Sequence, residues 1–321
     1  VLGGLARRVA YVKGEAASGK TLLVVDSGNL LPDFSREKDR DRAERIAGLL
    51  IRAYELMGAD AVNVGFGEAS FGLSFLKKGT GEAFPWVSSN ILDKQGKPVF
   101  NRYILKDIKG MRFAFIGLAG SGVDAVVKTT FGSGHTVADP VDSARKTIAD
   151  LSGRAEVIVL LAAMTAEETR NVVEKNPGIC FVIGGEGEAL QSPSRIGKVP
   201  LFYAGTDGQY AGSLNLICNR AKGGFVDMGE ETRLRREIDR LEKRTAVLEK
   251  AKRNRPSPSL EKMIAELETG KSKLKNELNQ ICACASESGK FTWNLVPMVP
   301  SFAENPEVLR WLQAEGLGEG S

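Results

Sequence analysis

The chain has 321 residues, 42% of them hydrophobic and 26% charged, with a formal net charge of +4. That composition excludes a disordered chain, allows one large or two moderate domains, and gives no global argument for nucleic acid. No stretch approaches the roughly 20 apolar residues of a bilayer span, and the chain opens at Val1 without the pattern of a signal peptide.

In chain order, Leu5 to Lys13 carries helical spacing. Short β-rich runs follow at Leu22 to Val25, Ala61 to Val64, Phe113 to Gly117, Val157 to Leu161, Cys180 to Ile183 and Leu201 to Ala204. Helical stretches lie between them at Arg40 to Met57, Pro140 to Leu151 and Thr165 to Asn176, the last opened by a Thr165 cap with Glu167 and Glu168 in its first turn. Strands alternating with helices as far as Leu216 predict α/β layering, with functional groups collected just past the strand ends.

Gly14-Glu15-Ala16-Ala17-Ser18-Gly19-Lys20-Thr21 matches the phosphate-loop pattern letter for letter. That motif works only with a strand before it and a helix after it, so that backbone N–H groups and a helix N-terminus converge on phosphate. Here the order is helix, then strand. The segment is therefore expected to be a connecting loop with Lys20 on the surface.

From Gly229 the pattern changes. Leu234, Ile238, Leu241, Thr245 and Leu248 step by four and three, as do Leu260, Ile264, Leu267, Lys271, Leu274, Leu278 and Ile281. Between these arms Arg253-Asn254-Arg255-Pro256-Ser257-Pro258 cannot continue a helix, so an antiparallel hairpin is predicted over 229–281. Arginines and lysines on the first arm are interleaved with Glu237, Asp239, Glu242 and Glu249, the pattern of a solvated face and not of a nucleic-acid arm. Only the tip is uniformly basic, and Lys250, Lys252, Arg253 and Arg255 are its candidate interaction residues, for a protein partner or for self-association. Phe291 to Val299 could return as a strand, and Asn305-Pro306-Glu307 opens a last helix. The expected division is an α/β domain over 1–228 and 282–315, the hairpin over 229–281, and a flexible tail over 316–321.

Cys180 and Cys218 sit in apolar runs and read as core residues, whereas Cys282 and Cys284 form a CxC that leaves a redox or ligand role open. No cysteine spacing fits zinc.

Several segments, taken together, carry a resemblance. They are Gly3-Gly4-Leu5-Ala6-Arg7-Arg8, Val24-Val25-Asp26-Ser27-Gly28-Asn29, Ala59 to Gly65 with Phe66-Gly67-Glu68, Val157 to Met164, and Val182-Ile183-Gly184-Gly185-Glu186-Gly187-Glu188. Phe84 to Asn90 and Ala204 to Gly212 support them. In order and spacing they resemble the metallophosphoesterase (calcineurin-like) domain of the bacterial 5'-nucleotidase and UDP-sugar hydrolase family. The resemblance implies a four-layer α/β/β/α sandwich and an exported protein, periplasmic or extracellular, with any membrane anchor outside these 321 residues.

It also implies two metal ions, bridged by an aspartate and flanked by histidines, that activate water for attack on phosphorus. This chain departs from that set at each motif. Asn29 stands where the bridging aspartate belongs, and Phe66-Gly67 where an asparagine and a histidine belong. Ala163 takes a histidine's place, and Glu186 and Glu188 replace a histidine pair. The chain's one histidine, His135, falls in none of these positions. Two readings stay open. One is a non-catalytic domain acting in binding or assembly, with no cofactor. The other is a hydrolase whose remodelled oxygen-ligand site of Asp26, Asn29, Glu68, Glu186 and Glu188 holds Mg²⁺ or Ca²⁺.

Overall fold

Leu5, Ala6 and Val9 bury one face at helical spacing, which makes the first element a helix, α1 (Leu5–Ala17). The computed structural model describes residues 4–36, 38–78, 84–184, 193–217, 224–285 and 289–317. By internal contacts the chain divides into two units, residues 1–212 with 295–321, and residues 213–294.

In the first unit α1 is followed by β1 (Val24–Asp26), α2 (Arg40–Met57), β2 (Ala59–Asn63), α3 (Phe66–Phe71), α4 (Leu73–Lys78), β3 (Trp86–Val87) and β4 (Ile91–Leu92). Then come β5 (Tyr103–Ile108), β6 (Met111–Ala119), α5 (Asp124–Thr130), β7 (Thr136–Val137), α6 (Pro140–Asp150) and β8 (Val157–Ala163). The series closes with α7 (Ala166–Lys175), β9 (Phe181–Gly184), β10 (Ser194–Ile196) and β11 (Val199–Tyr203).

One sheet is the parallel set β1-β2-β3, and the other has the order β10-β11-β9-β8-β6-β5. The inner strands of the larger sheet are parallel, and antiparallel β10 and β5 form its edges. β8 is buried at every position, which is what a parallel strand covered on both faces requires. β2 packs on β6 and β8, so the two sheets lie face to face. Ala43, Ala47 and Ile51 of α2 cover the smaller sheet through Val62 and Val64. Val141, Ala144 and Val172 of α6 and α7 cover the larger one through Ile116, Leu160 and Val182. The result is the α/β/β/α layering that the resemblance implied.

The second unit is centred on a sheet of order β12-β14-β13, from β12 (Tyr210–Ile217), β13 (Phe225–Asp227) and β14 (Gly289–Pro297). Between the parallel pair β13 and β14 the chain forms α8 (Met228–Asn254) and α9 (Pro258–Ala285). Asp227 caps α8 by accepting from the N–H groups of Gly229 and Glu230. Leu234, Ile238, Thr245 and Ile264 are buried, and the other described seam positions are half-buried. Ion pairs Glu242–Lys275 at 2.8 Å and Lys252–Glu261 at 3.2 Å cross between the helices in antiparallel register. Lys271 occupies the seam as a half-buried residue and pairs with Glu268.

Back in the first unit, α10 (Pro306–Ala314) rests on α1 and α2, with the Asn305 N–H donating to the Ala6 carbonyl at 3.0 Å. The Arg52 guanidinium lies 3.8 Å from the Trp311 ring centre. The phosphate-loop pattern lies between a helix and a strand as its order predicted, but only its second half is loop, because the helix runs past Lys13. Gly14 to Ala17 complete α1, Gly19 turns the chain at φ +83°, and Lys20 pairs with Glu15.

Sequence periodicity placed β1, β2 and β14 but missed β5, β10, β12, β13 and the short strands β3, β4 and β7. β5 alternates between half-buried and exposed positions, and the signal that could have found its hairpin to β6 is Lys109-Gly110, both at positive φ. The strands of β3, β4 and β7 span two residues each, too short to show a period.

Candidate functional site

β1 ends at Asp26, and Gly28 (φ +104°) and Asn29 (φ +61°) then turn the chain sharply. Glycine takes this left-handed backbone without strain, and asparagine is one of the few other residues that tolerate it. Asp26 Oδ1 accepts from the Gly28 N–H at 2.9 Å and Oδ2 accepts from the Tyr54 hydroxyl at 2.6 Å. Burial raises the Asp26 carboxyl above its ordinary range, against the opposing pull of Tyr54, Gly28 and the Arg8 guanidinium.

Glu68 sits on α3 and is fully buried. Its Oε2 accepts from the N–H groups of Asn29 at 2.9 Å and Gly65 at 2.8 Å, and Oε1 accepts from that of Leu31 at 2.9 Å. Burial pushes its carboxyl up to about 7, with those three donors and the nearby Asp26 as smaller influences. Asn29 Oδ1 in turn accepts from the Gly67 N–H at 3.1 Å. The turn after β1 and the start of α3 are thus clasped from both sides.

The clasp leaves no space for larger groups. A Cβ on Gly65 would lie 2.6 Å from Asn29 Oδ1, and one on Gly67 would lie 2.0 Å from the Leu31 carbonyl oxygen. Ala163, at the end of β8, stands 3.0 Å from where a Cβ on Gly28 would be. Glycine and alanine at these motifs are what close packing of backbone on backbone demands.

Sequence reasoning missed Asn63. Fully buried at the end of β2, it points its amide nitrogen at the carbonyls of Ser27, Leu118 and Leu161, at 3.0, 2.9 and 3.0 Å. It therefore ties the ends of β1, β6 and β8 together. Its position in an apolar strand of a buried sheet was the available signal, since a buried amide must find partners. Asn90 does similar work, donating to the carbonyls of Ala119 and Ala138 and accepting from the Ala119 N–H.

The metal set expected from the sequence divides accordingly. Asp26, Asn29 and Glu68 come together, whereas Glu186 and Glu188 lie outside the described residues, as do Cys218 and the side chains of Cys282 and Cys284. No three His, Cys, Asp or Glu side chains among the described residues are placed to hold a metal ion. Among the described residues, those present do not fit a two-cation centre. The Glu68 carboxylate is ringed by N–H dipoles aimed at it, which favour an anion and repel a cation, and Asn29 brings no charge to bridge metals. The side chains of Ala162 and Ala163 supply no donor atom.

The other candidates stand elsewhere. Lys250, Arg253 and Arg255 are exposed at the hairpin tip, while Lys252 is half-buried in its pair with Glu261. Burial raises the Cys180 thiol, which makes it a poor nucleophile. His135 lies in the loop before β7, its ring edge-on to Phe131 at 6.0 Å.

No protein-family model matches the chain. Among curated sequences, the uncharacterised metallophosphoesterase YunD of Bacillus subtilis is 30% identical over 137 residues, which is 41% of this chain and 29% of that protein. A 5'-nucleotidase of Vibrio cholerae is 28% identical over 148 residues, 46% of this chain and 26% of that protein. The matched stretch thus spans less than a third of either relative. The sulfate thiohydrolase SoxB of Thermus thermophilus superposes with a TM-score of 0.67 at 17% identity, covering 98% of this chain and 46% of that one. The calcineurin-like phosphoesterase YfkN of Bacillus subtilis gives 0.59 at 18% identity, covering 98% of this chain and 89% of that one. A 5'-nucleotidase precursor of Thermus thermophilus gives 0.56 at 22% identity, covering 70% and 47%.

Proposed function

We propose that this metallophosphoesterase-type domain, related in sequence to 5'-nucleotidases and sharing their fold, is a non-catalytic member of that group that acts in binding or assembly. The observation that carries the reading is the clasp between Asn29, Glu68 and the N-terminus of α3. Groups that follow β1 and β2 are committed to holding backbone, in a space that the resemblance assigns to two cations and their water.

The hairpin of α8 and α9 is the interaction element in this reading, with Lys250, Arg253 and Arg255 offered to a protein partner or to a second copy of the chain. Pairs such as Arg240–Glu237 at 3.0 Å and Lys243–Asp239 at 2.7 Å neutralise much of the remaining face, which argues against nucleic acid. A 5'-nucleotidase precursor among the structural neighbours supports a periplasmic or extracellular setting. No helix among the described residues is long and apolar enough to cross a membrane.

The names of the sequence relatives favour a second reading, a metal-dependent phosphoesterase with a carboxylate site completed by Glu186 and Glu188. A turnover assay on p-nitrophenyl phosphate and 5'-nucleotides, with Mg²⁺, Ca²⁺ or Mn²⁺ supplied, separates the two. The non-catalytic reading expects no turnover with any cation. Turnover that disappears in the double variant Glu186→Gln, Glu188→Gln establishes the second. Sedimentation of the chain with and without residues 253–258 tests the hairpin's part in self-association.

A further inference from the structure

A pocket of about 450 Å³ opens beside the turn at 93–97, lined by that turn, by α4 and by the loop before β7. That volume lies in the range of small-molecule sites, roughly 300–1,000 Å³. Three of its side chains can carry positive charge, Lys77, Lys94 and His135. Neither lysine has a carboxylate partner among the described residues. The one carboxylate in the lining, Asp93, has Oδ1 occupied by the N–H groups of Gln95 and Lys97, both at 2.9 Å.

Lys94 and His135 are held in place by their own loops. The Asp93 N–H donates to the Lys97 carbonyl at 2.8 Å and the Gly96 N–H to the Asp93 carbonyl at 2.9 Å, closing the turn that presents Lys94. The opposite loop presses on the stem of Lys94, since a Cβ added at Gly134 would come within 2.9 Å of Lys94 Cβ. His135 donates from Nδ1 to the Gly132 carbonyl at 3.2 Å, because a carbonyl can only accept, so Nε2 is the ring position left for a ligand. Leu73, Pro98 and Val99 add an apolar wall.

Compact ammonium groups with an imidazole recognise a phosphoryl oxyanion, and the apolar wall suits a hydrocarbon body attached to it. We propose that this pocket binds a small organic phosphate, its oxyanion at Lys77, Lys94 and His135 and its apolar group against Leu73, Pro98 and Val99. The pocket uses no residue of the clasp at Asn29 and Glu68.

Because His135 is the chain's only histidine, its ring protons give an isolated signal in proton NMR. The purified chain is titrated at fixed pH with inorganic phosphate and with phenylphosphonate, whose P–C bond resists ester hydrolysis, so the readout is independent of turnover. Sodium chloride at matched ionic strength is the control. The expected result is a saturable shift of the His135 resonances, with phenylphosphonate binding about tenfold more tightly than phosphate, and about tenfold weaker binding in Lys77→Gln or Lys94→Gln. No shift beyond the chloride control, a shift unchanged in the double lysine variant, or equal affinity for the two probes would overturn the proposal.

Discussion

The Gly67 N–H donates to Asn29 Oδ1 at 3.1 Å, so the side chain that follows β1 caps the start of α3. Asn29→Ala removes that acceptor and places alanine at φ +61°. The expected cost is about 2 kcal/mol, read as a lower urea midpoint with unchanged slope. Asn29→Asp restores the charge that the resemblance associates with a metal bridge. It is expected to destabilise the chain more at pH 8 than at pH 5, because the added carboxylate faces Glu68, and to bring no phosphatase activity.

Asn63 offers a second test. Asn63→Ala leaves three inward carbonyls without their shared donor and is expected to cost about 3 kcal/mol in urea unfolding. Asn63→Asp directs a carboxylate at the same oxygens and is expected to cost more. Gly117→Ala also strikes this amide, because its Cβ would lie 2.4 Å from Asn63 Oδ1.

Glu68 ties stability to pH. Its carboxyl rises from an ordinary 4.5 to about 7 on folding, so the folded chain keeps a proton that the unfolded chain releases between those values. Folding stability therefore falls as pH rises from about 4.5 to 7 and levels off above, by an amount on the order of 3 kcal/mol. The raised carboxyl of Asp26 acts with the same sign, starting lower. Glu68→Gln removes the Glu68 share of this slope, and chemical denaturation at a series of pH values reads the difference.

In the hairpin, Thr245 is buried in the seam and its hydroxyl has no hydrogen-bond partner among the described residues. Thr245→Val removes the unsatisfied oxygen at almost constant shape. It is expected to stabilise the chain by about 1 kcal/mol, visible as a higher thermal midpoint.

The frame was legible in the sequence where period and burial agree. Val157 to Leu161 announced a covered strand, and the fours and threes from Leu234 to Leu248 announced the buried face of α8. The site was legible by position. Glu68 and Asp26 are ligands in only one of the two readings that the sequence leaves open, because a carboxylate at a strand end is a donor set on paper. Nothing in the sequence says that three backbone N–H groups from two separate loops converge on Glu68. Asn63 escaped notice because its partners are main-chain carbonyls, which leave no trace in residue identity.

The central claim is that the strand ends hold one another and not a pair of cations. Elemental analysis of the purified chain, after equilibration with Mn²⁺, Zn²⁺ and Mg²⁺ and removal of free ions, tests it most directly. The account predicts no metal near one equivalent per chain, in the native protein and in Asn29→Asp alike. One or two equivalents of tightly held metal, lost together with phosphatase turnover on chelation, would contradict it.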